Sequence, residues 1–289
     1  MPDTPTTSVT QTRSEITTPH PAGHRRVRPG AAVALALLVV ASGVASCGSG
    51  DGDGPRSEGD AETETSGAAR PVIDPGDGGD YHPDVDPAEF GGPIDNPYLP
   101  YPPGARWVYE GISDGEHERV EVVVTDDTRR VMGIDTTVVR DTVTVGGEMV
   151  EDTADWFAQD AAGNVWYFGE DSREYENGEL VGREGSWEAG VDGALPGIVM
   201  PAAPAVGRAY RQEYFVGEAE DLAEVVSLDA RVTVVGRAFE GVLVTEEWNP
   251  LEPGTVEEKS YAPGVGMVLE EVTAGGEGRL ELAEHTTAG

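Results

Sequence analysis

From about residue 90 to residue 284 the chain alternates apolar and polar side chains in short runs, the period-two pattern of strands with two different faces. Residues 119–124 (Arg-Val-Glu-Val-Val-Val) alternate at their start, and residues 136–145 alternate again. Two aromatic and β-branched runs follow at 156–158 and 165–168, split by a turn at 160–164 (Asp-Ala-Ala-Gly-Asn). Residues 208–216, 230–235, 241–248, 256–261, 267–273 and 279–282 continue the series. Turn signals separate them, among them Met132-Gly133, Gly146-Gly147, Asn177-Gly178, Pro253-Gly254 and Gly275-Gly276. Strands this short and this evenly spaced predict an all-β domain over 90–285, an antiparallel meander closed as a half-barrel, barrel or sandwich. Residues 286–289 read as a tail. The best short-helix candidate is 218–226, which also reads as a strand edge.

Two stretches break the rhythm. Residues 190–207 carry Pro196, Pro201 and Pro204 around an apolar tip, Ile198-Val199-Met200. Proline removes ladder donors, so this stretch predicts a loop. It either folds over the open end of the sheet as part of the core or closes as an apolar lid over a ligand. Residues 92–104 hold five prolines and predict an extended lead-in to Trp107-Val108-Tyr109. Before them, 47–89 is a tract of Gly, Asp, Glu, Ser and Pro with little apolar content, the composition of a disordered linker.

The start of the chain has a different pattern. His24-Arg25-Arg26-Val27-Arg28 precedes an apolar run, and Val44-Ala45-Ser46 leads to Cys47, the only cysteine. This is the layout of a secretory signal peptide over 1–46. The run is shorter than the roughly 20 residues that span hydrocarbon and is followed at once by polar sequence. A cysteine directly after small residues resembles the bacterial lipobox. That resemblance implies cleavage before Cys47, diacylation of its sulfur and lipid anchoring on the extracytoplasmic face of a bacterial membrane. Arg25-Arg26 leaves both general secretion and twin-arginine export open.

Charge narrows the partners. With 54 acidic against 19 basic residues the net charge is −35, and removing residues 1–46 takes it to −37. Such a surface repels nucleic acid and anionic headgroups, so DNA and RNA binding are excluded and the membrane is met only through the lipid. Lys259 is the only lysine. Salt screening is expected to stabilise so acidic a fold.

Candidate chemistry is sparse. After residue 46 only His82, His117 and His285 remain, without HxH or HExxH spacing, so no zinc site is expected. Gly185-Ser186-Trp187 lacks the frame of a nucleophile elbow, and no phosphate-binding glycine loop is present. Carboxylates beside aromatics are abundant, as in Asp155-Trp156-Phe157, Tyr167-Phe168-Gly169-Glu170 and Glu213-Tyr214-Phe215. Paired carboxylates would serve a glycosidase, and an acidic rim would hold Ca²⁺. The plainer reading is solvated strand faces. Asp141 differs: the alternation Val139-Asp141-Val143-Val145 puts it on an apolar face, where a carboxylate needs a partner or titrates high.

Several segments carry a resemblance: Asn96-Pro97-Tyr98-Leu99-Pro100, Trp107-Val108-Tyr109-Glu110-Gly111, Asp155-Trp156-Phe157-Ala158-Gln159-Asp160, Gly163-Asn164-Val165-Trp166-Tyr167-Phe168-Gly169-Glu170, the run from Gly185-Ser186-Trp187 to Ala194, and Tyr261-Ala262-Pro263-Gly264-Val265-Gly266. Together they are similar to a family of uncharacterised bacterial secreted proteins and lipoproteins, over most of 94–282. That family brings no activity with it. The Tyr-Ala-Pro-Gly-Val-Gly close also resembles the last hairpins of lipoprotein-carrier half-barrels.

Three functional expectations follow. The first is a non-enzymatic envelope lipoprotein whose β domain binds a hydrophobic small molecule, a lipid or a partner, with Trp156, Trp166, Tyr167, Tyr214 and Asp141 lining the site and Ile198, Val199 and Met200 closing it. The second is an acidic, Ca²⁺-binding interaction module. The third is a carboxylate-dependent hydrolase of envelope polymers.

Overall fold

Tight two-residue turns organise the strands. At Asp114-Gly115, Met132-Gly133, Gly146-Gly147, Asn177-Gly178 and Val235-Gly236 both central residues have φ between 47° and 91°. That is the turn whose twist matches paired antiparallel strands. A computed structural model describes residues 79–287. A 3₁₀ turn, Pro87–Glu89, precedes β1 (Asp95–Asn96), β2 (Leu99–Pro100), β3 (Arg106–Ser113), β4 (Glu116–Val131), β5 (Ile134–Val145) and β6 (Glu148–Gln159). Next come β7 (Val165–Asp171), β8 (Glu174–Glu176), β9 (Glu179–Gly182), β10 (Trp187–Glu188), β11 (Leu195–Met200), β12 (Ala209–Arg211) and β13 (Glu213–Tyr214). The last five are β14 (Leu222–Val234), β15 (Arg237–Trp248), β16 (Val256–Ala262), β17 (Gly266–Ala274) and β18 (Gly278–Thr286).

β1 and β2 pair only with each other; the other strands form one 16-stranded sheet. Its order is β12-β14-β15-β16-β17-β18-β3-β4-β5-β6-β7-β11-β13, with β8, β9 and β10 attached at β6 and β7. The pairings are antiparallel. Bulges bend the sheet in β4, β6 and β14, and pairing of β18 with β3 joins the last strand to an early one. The two end strands, β12 and β13, are consecutive in the chain and separated only by Gln212. The sheet therefore wraps into a nearly closed barrel, as the meander predicted, with a seam at residues 211–213. At the β3–β18 contact the strands run so close that a Cβ on Gly111 would lie 1.8 Å from the Arg279 carbonyl oxygen.

The core continues on both sides of the sheet. Inside, Tyr101, Trp107, Phe157, Tyr167 and Trp187 form a chain of rings with centroids 4.8–5.5 Å apart. Outside, residues 79–96 strap the barrel. Phe90 sets its edge against Trp166 and Phe168, and the Asn96 side chain donates to the Gly163 carbonyl at 2.9 Å.

Three expectations need correction. Residues 79–89, read as part of the linker, pack on the barrel: the Tyr81 hydroxyl donates to the Pro196 carbonyl, and that of Tyr214 to Gly79. Residues 195–200, read as a loop, are β11. Pro196 is accommodated because β11 pairs with β13 at only Leu195 and Pro196, while Gly197, Ile198 and Met200 pair with β7. Residues 222–226, the end of the short-helix candidate, belong to β14. The signal segment, Cys47 and the linker before Gly79 lie outside the described residues.

Candidate functional site

Residues opposite one another in a ladder point to the same face. Lys259 stands between Thr245 on β15 and Glu270 on β17, with Glu247 opposite Glu257 one step along. Glu270 in turn lies opposite Leu280, and Gly111 is next to Glu118 of β4. Asp141 lies between Val122 and Thr153, and Asp155 between Val139 and Glu170. These are the positions of Tyr109, Val120, Val143 and Tyr261, so the charged residues share the inner face with the core. Strand acids read from sequence as solvated faces are here enclosed: Glu118 and Glu213 have no solvent exposure and Glu270 has 1%; Asp141, placed on an apolar face from sequence, also has 1%.

Charged groups inside a barrel must be paired or neutral. Lys259 serves one cluster, its Nζ 3.1 Å from Glu247 and 3.8 Å from both Glu257 and Glu270. The Thr245 hydroxyl donates to Glu247 at 2.7 Å. Burial opposes the lysine's charge, but the three carboxylates outweigh it and hold its pKa well above the ordinary value. Burial raises Glu270 well above its ordinary range against the pull of Lys259.

The second cluster lies on β6 and β7. The Tyr167 hydroxyl donates to Asp155 at 2.8 Å. Burial pushes Asp155 up to about 7; the Tyr167 bond opposes this and Glu151 adds to it. Glu170 is raised well above its usual range by burial and then by the charges of Asp155 and Glu151. The third cluster is at the seam, where Glu213 and Asp221 are both buried. Burial and then the neighbouring Asp221 raise Glu213 well above its range. Asp221 is raised to about 7 by burial, with Glu213 and Lys259 opposing. Perturbed carboxyls grouped in one interior are the feature that marks functional sites.

The sequence candidates divide. Tyr167 and Asp141 are on the inner face, Asp141 adding to the upward shift of the neighbouring Tyr101 and Tyr109 hydroxyls, for which burial is the main cause. Trp156 and Trp166 point the other way. Trp156 lies under the Arg129 guanidinium, 3.9 Å away, and Trp166 donates to Asp160 at 2.8 Å beneath Phe90. Tyr214 is at the seam, edge-on to Tyr81 and beneath Arg211. Ile198 and Val199 are half-buried and Met200 fully buried on β11. Sequence reasoning did not single out Tyr101, Trp107, Trp187, Glu118 or Glu270 for the site, and Glu213 was weighed only among carboxylates whose plainer reading was a solvated face. The one signal for Glu118 is its phase with Val120, Val122 and Val124. Among the described residues no group of three or more His, Cys, Asp or Glu side chains is disposed to hold a metal ion.

Fold and site together define an all-β antiparallel barrel with an acid-lined interior. No protein-family model and no curated protein matches this chain. Among solved structures it is similar to one described as a "putative lipoprotein" from Parabacteroides distasonis, at 12% identity and a TM-score of 0.37, over 65% of this chain and 98% of the other.

Proposed function

We propose that the protein is an extracytoplasmic lipoprotein, anchored through a lipid on Cys47, whose barrel is a non-enzymatic binding domain. Its ligand class is an amphiphile with a protonated amine. The observation that carries this reading is the inner face, where carboxylates from strand after strand accompany a single lysine and a chain of aromatic rings. A core kept only for stability gains nothing from so much buried charge. A bound ammonium group would pair with these raised carboxyls as it displaces their protons, and the rings of Trp107, Phe157 and Tyr167 suit both the cation and its apolar body. Hydrolysis of envelope polymers is disfavoured, because Asp155 and Glu170 are only 3% exposed and a polymer does not reach them.

Two measurements test the two halves. Cells fed an alkyne fatty acid should label the wild-type chain and not Cys47→Ser; equal labelling overturns the anchor. Native mass spectrometry of residues 48–289 with dodecylammonium and with dodecanol should show retention of the amine alone. Retention of neither, or of both equally, overturns the ligand class.

A further inference from the structure

A bulge brings three carboxyls and three rings together inside the barrel. Asp155 of β6 lies opposite Glu170 of β7, and Phe157 lies opposite Tyr167, so β7 uses one residue more than β6 over this interval. The extra residue is absorbed at Gly169, with φ 122°, where a Cβ would lie 2.2 Å from the Trp187 carbonyl oxygen. Regular alternation would send Tyr167 and Glu170 to opposite faces; the bulge turns both inward. Phe168, between them, packs outward on Phe90. Trp187 of β10 stands opposite Glu170 with its ring edge-on to Tyr167 at 5.4 Å, and Phe157 stacks on Tyr167 at 4.8 Å. Glu213 of β13 completes the group. A Cβ on Gly197, the residue opposite Tyr167, would lie 2.5 Å from the Glu213 backbone nitrogen.

These carboxyls are short of donors. Asp155 and Glu170 are 3% exposed and Glu213 0%. The Tyr167 hydroxyl has a single proton to give and gives it to Asp155 at 2.8 Å. Both side-chain oxygens of Glu213 are buried with no hydrogen-bond partner among the described residues. Cations nearby are engaged elsewhere: Arg140 with Asp152 at 2.6 Å, Lys259 with Glu247 at 3.1 Å, and Arg211 over the Tyr214 ring at 4.5 Å. A buried carboxyl without donors is costly, so this group is suited to receive N–H groups from a bound molecule. We propose that Asp155, Glu170 and Glu213 are the seat of the ligand's head group and select a primary ammonium over a quaternary one. The inference rests on the amine-binding reading above and narrows it. A primary ammonium brings three N–H donors to the second Asp155 oxygen, Glu170 and Glu213. A quaternary ammonium carries the same charge and suits the three rings as well. It offers no donor, and a site made to hydrogen-bond rejects the analogue that lacks the bond. Glu213 borders the margin where β12 and β13 are not laddered to each other, which gives a small head group its way in.

The test is isothermal titration of the full chain, in a nonionic detergent, with octylammonium and with octyltrimethylammonium. Wild type should bind the primary amine at least about tenfold more tightly. Glu170→Gln and Glu213→Gln should each shrink that ratio below about threefold, because each removes a charged acceptor from the seat. Glu240→Gln, which removes one charge at an exposed position, should leave the ratio unchanged. An unchanged ratio in either interior variant, or equal binding of the two ammoniums by wild type, overturns the seat and leaves the amine reading standing. Binding of neither by wild type overturns the amine reading and the seat together. Should the interior variants not fold, carboxyl carbon-13 NMR of the wild type decides. Octylammonium should shift the Glu170 and Glu213 carboxyl carbons, and shifts confined to Glu247, Glu257 and Glu270 overturn the seat.

Discussion

Lys259 has the most consequential single side chain in the barrel. It is 6% exposed and meets three carboxylates, so its removal leaves Glu247, Glu257 and Glu270 enclosed without a cation. Lys259→Met should cost about 3–5 kcal/mol at neutral pH, the loss that follows when one partner of a buried pair is taken away. Urea denaturation at pH 7 and pH 5 checks this. The deficit should shrink at pH 5, where raised carboxyls such as Glu270 and Glu257 take up protons instead. A deficit below about 1 kcal/mol at pH 7 would mean that the cluster is already neutral.

At the level of strands, β3 and β18 depend on a missing side chain. Gly111→Ala places a methyl group on the Arg279 carbonyl, and the backbone must part to admit it. The expected loss is more than about 2 kcal/mol, against less than about 0.5 for Gly92→Ala, which meets nothing within 4 Å. Urea midpoints of the two variants measure the contrast. The elements themselves were largely legible: residues 136–145 lie within β5, 256–261 within β16, and turns such as Asn177-Gly178 join their strands as read. What was not legible was which face closes. In β16 the series Glu257-Lys259-Tyr261 reads as the wet face, and only the curling of a sheet whose ends meet at Gln212 turns it inward. Asp141 could be placed because its neighbours on its own face are valines. Trp156 and Trp166 could not, because aromatic residues occupy both faces of β6 and β7.

The whole molecule carries two opposed sets of acids. Glu121, hydrogen-bonded by Arg106, is held at about 2 despite partial burial, so its contribution is present above its ordinary value and is lost as pH falls toward 2. Asp155 and Asp221, each raised to about 7, contribute below their ordinary values and lose that contribution as pH rises through 7. The stability maximum should therefore lie on the acid side, near about pH 4–5, with a decline toward pH 8. Thermal melts across this range measure it, and a maximum at or above pH 7 would contradict the assignment of protonated interior acids. The strap of residues 79–96 has a mechanical consequence. Tyr81 and Gly79 are fastened to Pro196 on β11 and Tyr214 on β13, the two strands on one side of the seam. Tension arriving from the N-terminal side is thus delivered to two hydrogen bonds at the least-laddered margin and not along a full strand. The contacts that such tension loads first are therefore these two hydrogen bonds beside the seam.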